Sequence, residues 1–140
     1  MQNKDNNGLP LSFDQLDAGC EFPASSCDLS ALFVSKYLEA VDRREEQNPL
    51  SSELVPPLAI VARVMTELTK SLELPPGSIH ASQELEFFKA VPVGASVTCR
   101  SRVIQKLNRG KLRLLAIELN ALDQDEEKVL SGKATLVLPG

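Results

Sequence analysis

His80 is the only histidine among 140 residues. One imidazole cannot build a His-x-x-x-His zinc site or a three-histidine metal centre within a chain. Any Ser-His-Asp arrangement would have to run through His80. The three cysteines, Cys20, Cys27 and Cys99, include no Cys-x-x-Cys pair. They read as separate, buried or half-buried thiols and give neither a disulfide framework nor a zinc knuckle. No metal site is expected. The cations are more suggestive. Residues 95–117 hold Arg100, Arg102, Lys106, Arg109, Lys111 and Arg113 and no Asp or Glu, although the whole chain has a net charge of −4. Arg100, Arg102 and Lys106 are separated by even numbers of residues, which puts them on one face of an unbroken strand. There they could hold phosphate groups through charge-assisted hydrogen bonds. An ordinary charged solvent face, blunting edge pairing, fits them too. Glu67 has Arg63 at i−4 and Lys70 at i+3, a spacing that predicts ion pairs along a helix.

The elements that must position these groups follow from pattern. An apolar fraction of 43% and a charged fraction of 24% fit one globular domain. With no Trp, six aromatic residues and an acidic balance, base-stacking and nucleic-acid binding are not expected. No run approaches ~18 apolar residues, and the polar start lacks a signal-peptide core, so a cytoplasmic location is expected. Residues 1–9 read as a flexible N-terminus and 10–140 as a single domain. Phe13, Leu16 and Phe22 suggest a lead-in packed loosely on the body. Phe33, Val34, Tyr37, Leu38 and Val41 recur at helical spacing, predicting a helix over about 30–43 that stops before Asn48-Pro49. Residues 58–72 form a second helix, apolar all round at its start, which something must wrap. Four strands follow. The first starts near Ile79, with His80, Ser82, Glu84 and Glu86 on its polar face. The others are 97–107, 112–122 and 129–138, joined by short turns that make them antiparallel neighbours. The class is α+β, a long antiparallel sheet curved round one apolar helix.

Three stretches carry a resemblance to the hot-dog fold and to its MaoC-like dehydratase and hydratase family. Val55-Pro56-Pro57-Leu58 resembles the lead into the family's central helix. His80-Ala81-Ser82-Gln83-Glu84-Leu85-Glu86-Phe87 resembles the strand after it, and Val91-Pro92-Val93-Gly94 the start of the next. The resemblance covers roughly residues 12–138. It implies an acyl thioester as substrate, with coenzyme A or an acyl carrier protein as carrier and no other cofactor. It also implies a dimer made by joining sheets edge to edge.

The family places an Asp-x-Asn-Pro-x-His motif before the central helix, where Asp and His activate water or remove a proton. The matching stretch here is Glu46-Gln47-Asn48-Pro49-Leu50-Ser51. Asn48 and Pro49 match, Glu46 stands in place of Asp, and Ser51 in place of His. Glutamate can serve as a base. Serine cannot replace an imidazole that titrates near neutral pH. The candidate catalytic residues are therefore Glu46, Asn48 and His80. Arg100, Arg102 and Lys106 are the candidate contacts to coenzyme A phosphates. The departure resembles the non-catalytic half of two-part dehydratases, in which one unit shapes the acyl pocket and another supplies the Asp and His. Two alternatives stay open. One is a hot-dog thioesterase using Glu46, Glu53 or Glu67. The other is a non-enzymatic acyl-thioester-binding subunit.

Overall fold

The computed structural model describes residues 10–41 and 53–139. A single turn of 3-10 helix, Phe13–Gln15, opens the chain. Strand β1 (Ser25–Asp28) and helix α1 (Ala31–Ala40) follow. Helix α2 (Pro57–Lys70) precedes β2 (Ile79–Phe87), β3 (Ser96–Arg109), β4 (Leu112–Leu122) and β5 (Lys128–Pro139). The five strands make one antiparallel sheet in the order β1-β3-β4-β5-β2.

Local chemistry accounts for these boundaries. Ser30 caps α1 by accepting from the Phe33 backbone N–H, which satisfies one of the helix's orphan donors. Pro57 begins α2, where a missing N–H costs nothing. Gly110, at φ 56°, turns β3 into β4. Ala59, Ile60, Val64 and Leu68 of α2 are buried with Val97, Val103, Leu115, Ile117 and Leu119 of the sheet in one core. The sheet thus has an inner face on the helix side and an outer face turned away from it.

Several features depart from the sequence reading. The lead-in is not loose. Phe13, Leu16 and Phe22 are buried, and Leu11 hydrogen-bonds to the residues after α2 through Leu11 N–H to Ser71 O and Glu73 N–H to Leu11 O. Strand β1 was not expected, because Ser-Ser-Cys-Asp has no apolar alternation. It forms by pairing with β3, and Ser96 Oγ donates to Asp28 across the pair at 2.7 Å. Cys27 and Cys99, expected as separate thiols, lie diagonally across β1 and β3 with Cα atoms 6.7 Å apart and are joined as a disulfide; Cys20 is free.

The largest departure concerns the faces of the long strands. The register of β3 shifts between Val103 and Gln105, and that of β2 between His80 and Ser82. A bulge adds one residue to one strand of a pair and so reverses which side chains point inward beyond it.

Candidate functional site

The turn that delivers His80 is built by Pro75-Pro76-Gly77-Ser78. Gly77 takes a φ of 93°. Ser78 returns both its N–H and its Oγ–H to the Pro75 carbonyl. β2 then pairs with β5 along its whole length, His80 opposite Leu136 and Phe87 opposite Leu130. Leu136 and Leu130 are buried in the core, so His80 and Phe87 lie on the inner face. The bulge at Ala81 puts Gln83 and Leu85 on that same face. The expected polar face of His80, Ser82, Glu84 and Glu86 is therefore divided, with His80 inward and the other three outward. His80 is nonetheless exposed, because β2 is the last strand of the sheet and nothing in the described chain lies beyond it.

In the sequence Gln83 is only one member of a patterned stretch, yet it is the notable polar group of this face. Its Nε2 donates to the Lys133 carbonyl at 3.4 Å. Its Oε1 is buried without a hydrogen-bond partner. An unpaired buried acceptor costs about 1–3 kcal/mol, so this amide is set to accept a bond from something else.

Glu46, Asn48 and Ser51 lie outside the described residues. Described structure stops at Val41 after α1 and resumes at Glu53. Glu53 is exposed, and its carbonyl accepts from Val93 N–H. Glu67 forms the pairs its spacing predicts, with Arg63 and with Lys70 Nζ, the latter at 3.0 Å. The Arg63 hydrogen bond, helped by Lys70, holds the Glu67 carboxyl below its ordinary range against the opposing effect of burial. A carboxylate stabilised in this way is a weaker base, which disfavours Glu67 as the water-activating group of a thioesterase.

The three cations expected on one face are not together. Arg100 is exposed, and Arg102 is bonded to Glu118 at 3.0 Å on the outer face. The bulge after Val103 turns Lys106 inward, opposite buried Leu115. There its Nζ donates to the Leu16 carbonyl at 2.7 Å and sits 4.6 Å from the Phe13 ring centroid. Arg113 approaches the same ring at 5.1 Å and donates to the Pro139 carbonyl. Lys106 and Arg113 thus fasten the lead-in. A cation so placed on an aromatic face contributes about 0.5–2 kcal/mol. Among the described residues no cluster of His, Cys, Asp or Glu could hold a metal ion, and no helix is long and apolar enough to cross a membrane. A shallow cavity of about 330 Å³ lies by Ser26, Ser96, Thr98 and Asp123. It is at the other end of the sheet from His80 and brings none of the candidate residues together.

This architecture is the hot-dog fold. No protein-family model matches the sequence, and no curated protein matches it. Solved structures do match the fold. The R-hydratase PhaJ1 from Pseudomonas aeruginosa is 15% identical with a TM-score of 0.73, over 91% of this chain and 84% of that one. A MaoC-like dehydratase from Rhodospirillum rubrum is 18% identical with a TM-score of 0.69, over 90% and 94%. The ChsH1–ChsH2 complex from Mycobacterium tuberculosis is 15% identical with a TM-score of 0.67, over 87% and 98%.

Proposed function

We propose that this chain is an acyl-thioester dehydratase or hydratase subunit that shapes the acyl pocket and takes its catalytic imidazole from a second hot-dog chain. The observation that carries the reading is the position of the one histidine. His80 follows α2 on the inner face of β2, and Ser51 stands where the MaoC-like motif has its histidine. The fold's likeness to a hydratase and to a dehydratase supports the class of chemistry. The likeness to a complex of two named chains supports a paired assembly.

The edge of β2 suits such pairing. It has one neighbour, β5, so half of its backbone N–H and C=O groups face outward. Phe87 and Phe88 at its end are 42% and 46% exposed. Apolar side chains left in the open beside a free strand edge fit a partner that continues the sheet. Gln83 Oε1 would accept from an N–H brought by the substrate arm or by that partner. Arg100 and Arg102 are the proposed contacts to coenzyme A phosphates.

The test uses crotonyl-coenzyme A with the purified chain. Hydration is followed by loss of enoyl-thioester absorbance and hydrolysis by release of free thiol. We expect binding with neither signal. Hydration by the chain alone at an ordinary enzyme rate, abolished by Ser51→Ala, would refute the proposal.

A further inference from the structure

The strand register divides the outer face of the sheet into rows. Leu107, Leu114, Val137 and Ile79 form one apolar row across β3, β4, β5 and β2. On the turn side of that row stands Leu112, opposite Arg109, with Lys111 in the turn itself, all three exposed. Leu112 is 59% exposed. On the other side of the row lie Gln105, Ala116 and Thr135. Ala116 points outward, since its neighbours Leu115 and Ile117 belong to the core, yet it is only 2% exposed. Its single methyl group is the floor of a dip between longer side chains. One row further on come Arg102, Glu118, Lys133 and Glu84, alternating in sign, with Arg102 bonded to Glu118 at 3.0 Å.

These rows complement themselves about one axis. A two-fold axis running along the apolar row, across the strands, sets the outer faces of two copies together and reverses position along each strand. Leu114 then meets the partner's Leu114. Leu112, two residues to the turn side, meets the partner's Ala116, two residues to the other side. Lys111 comes within one residue step of the partner's Glu118, which a lysine side chain spans. A protruding leucine enters a dip and a cation meets an anion, twice each by symmetry. The strands of the two copies stay nearly aligned, as in ordinary sheet-on-sheet packing. An axis running along the strands would instead set Arg109 and Lys111 against their own copies, so charge selects the transverse axis. The overlap spans about 27 Å of β3 and β4 and less of β5 and β2, which puts it near the ~1,000 Å² at which specific interfaces begin. An interface of that size is reversible and depends on concentration.

We propose that two copies of this chain associate back to back through this end of the outer face, with Leu112 seated over the partner's Ala116 and Lys111 paired with the partner's Glu118. The contact needs no acyl thioester and stands apart from the edge of β2, which lies two strands away from β4. The experiment follows molar mass by light scattering from micromolar to submillimolar concentrations of the purified chain. It compares the parent with Leu112→Glu, Lys111→Glu, Glu118→Gln and the double variant Lys111→Glu/Glu118→Gln, each checked for parental circular dichroism. The parent's mass should rise toward twice its dilute value, whether that value is one chain or a pair already joined at β2. Leu112→Glu and Lys111→Glu should each raise the concentration of half-association by roughly tenfold or more. Glu118→Gln should weaken the parent a few-fold but strengthen the Lys111→Glu variant, because it removes an attraction in the first and a repulsion in the second. Within one chain the two residues are seven positions apart on an extended strand, roughly 24 Å, so this reversal of sign arises only between copies. A mass independent of concentration overturns the proposal. So does association that ignores Leu112→Glu, or a Glu118→Gln effect of the same sign in both backgrounds.

Discussion

Gly132→Ala tests how β2, and with it His80, is held to the body. Gly132 sits opposite Leu85 in the β5–β2 register. An added Cβ would overlap the Glu84 carbonyl oxygen and come within 3.1 Å of Leu85 Cδ2. The obstacle is mainly backbone, which cannot rotate aside as a side chain can. Gly132 is not among the positive-φ glycines, so alanine suits the local backbone and the cost arises from contact alone. Overpacking of this kind costs about 1–3 kcal/mol. Alanine returns about 0.4–1 kcal/mol by restricting the unfolded chain. A backbone clash belongs in the upper part of the first range, which leaves a net loss of about 2 kcal/mol. For a domain of this size that lowers the melting temperature by roughly 4–10 °C. Thermal denaturation measures the size, and amide hydrogen exchange locates it. The β2 amides bonded to β5 should lose protection while those between β3 and β4 keep theirs. A melting temperature indistinguishable from the parent, or protection lost evenly across the sheet, would refute the reasoning.

Three further outcomes follow from other groups. Gln83→Leu removes the unpaired buried oxygen, so the free protein should gain up to about 1–3 kcal/mol by thermal melt; thioester affinity should fall, and unchanged affinity would remove Gln83 from the site. Asp123 is held below its ordinary value of 3.8, first by the Lys89 hydrogen bond and then by the Glu127 backbone N–H. A lowered carboxyl pKa stabilises the fold above the unfolded value and ceases to as pH falls through the folded one. The melting deficit of Asp123→Asn should thus be full at pH 7 and vanish in acid well below 3.8. Lys89, raised chiefly by Asp123 and then Glu127, keeps the pair charged beyond the ordinary lysine range at the alkaline end. Alkylation of the denatured protein followed by mass spectrometry should label Cys20 alone without reductant and all three cysteines with it; three labels without reductant would show that Cys27 and Cys99 are not joined.

The helices and long strands were legible because each is long and strongly patterned. The run from Leu58 has no breaker and too many apolar residues for a surface helix, and residues 112–122 fill the centre of the sheet. β1 was not legible, since Ser25–Asp28 carries no periodicity and owes its conformation to β3. The bulges were invisible for a related reason. A one-residue insertion into a ladder leaves composition untouched and is set by how the two strands meet. It separated Lys106 from Arg100 and Arg102, and His80 from Glu84. The pairing of Glu67 with Arg63 and Lys70 needed only helix geometry, and spacing alone anticipated it.

The open edge of β2 also bears on how newly made chains fold. Nine residues without lysine or proline present a bare ladder of donors and acceptors, and Glu84 and Glu86 on the outer face are its main charge. Such an edge accepts any extended segment that arrives first. Newly made chains would therefore pair with one another at this edge unless it is covered first. Under the proposed two-chain assembly, the yield of dispersed protein should rise when a second hot-dog chain is synthesised at the same time.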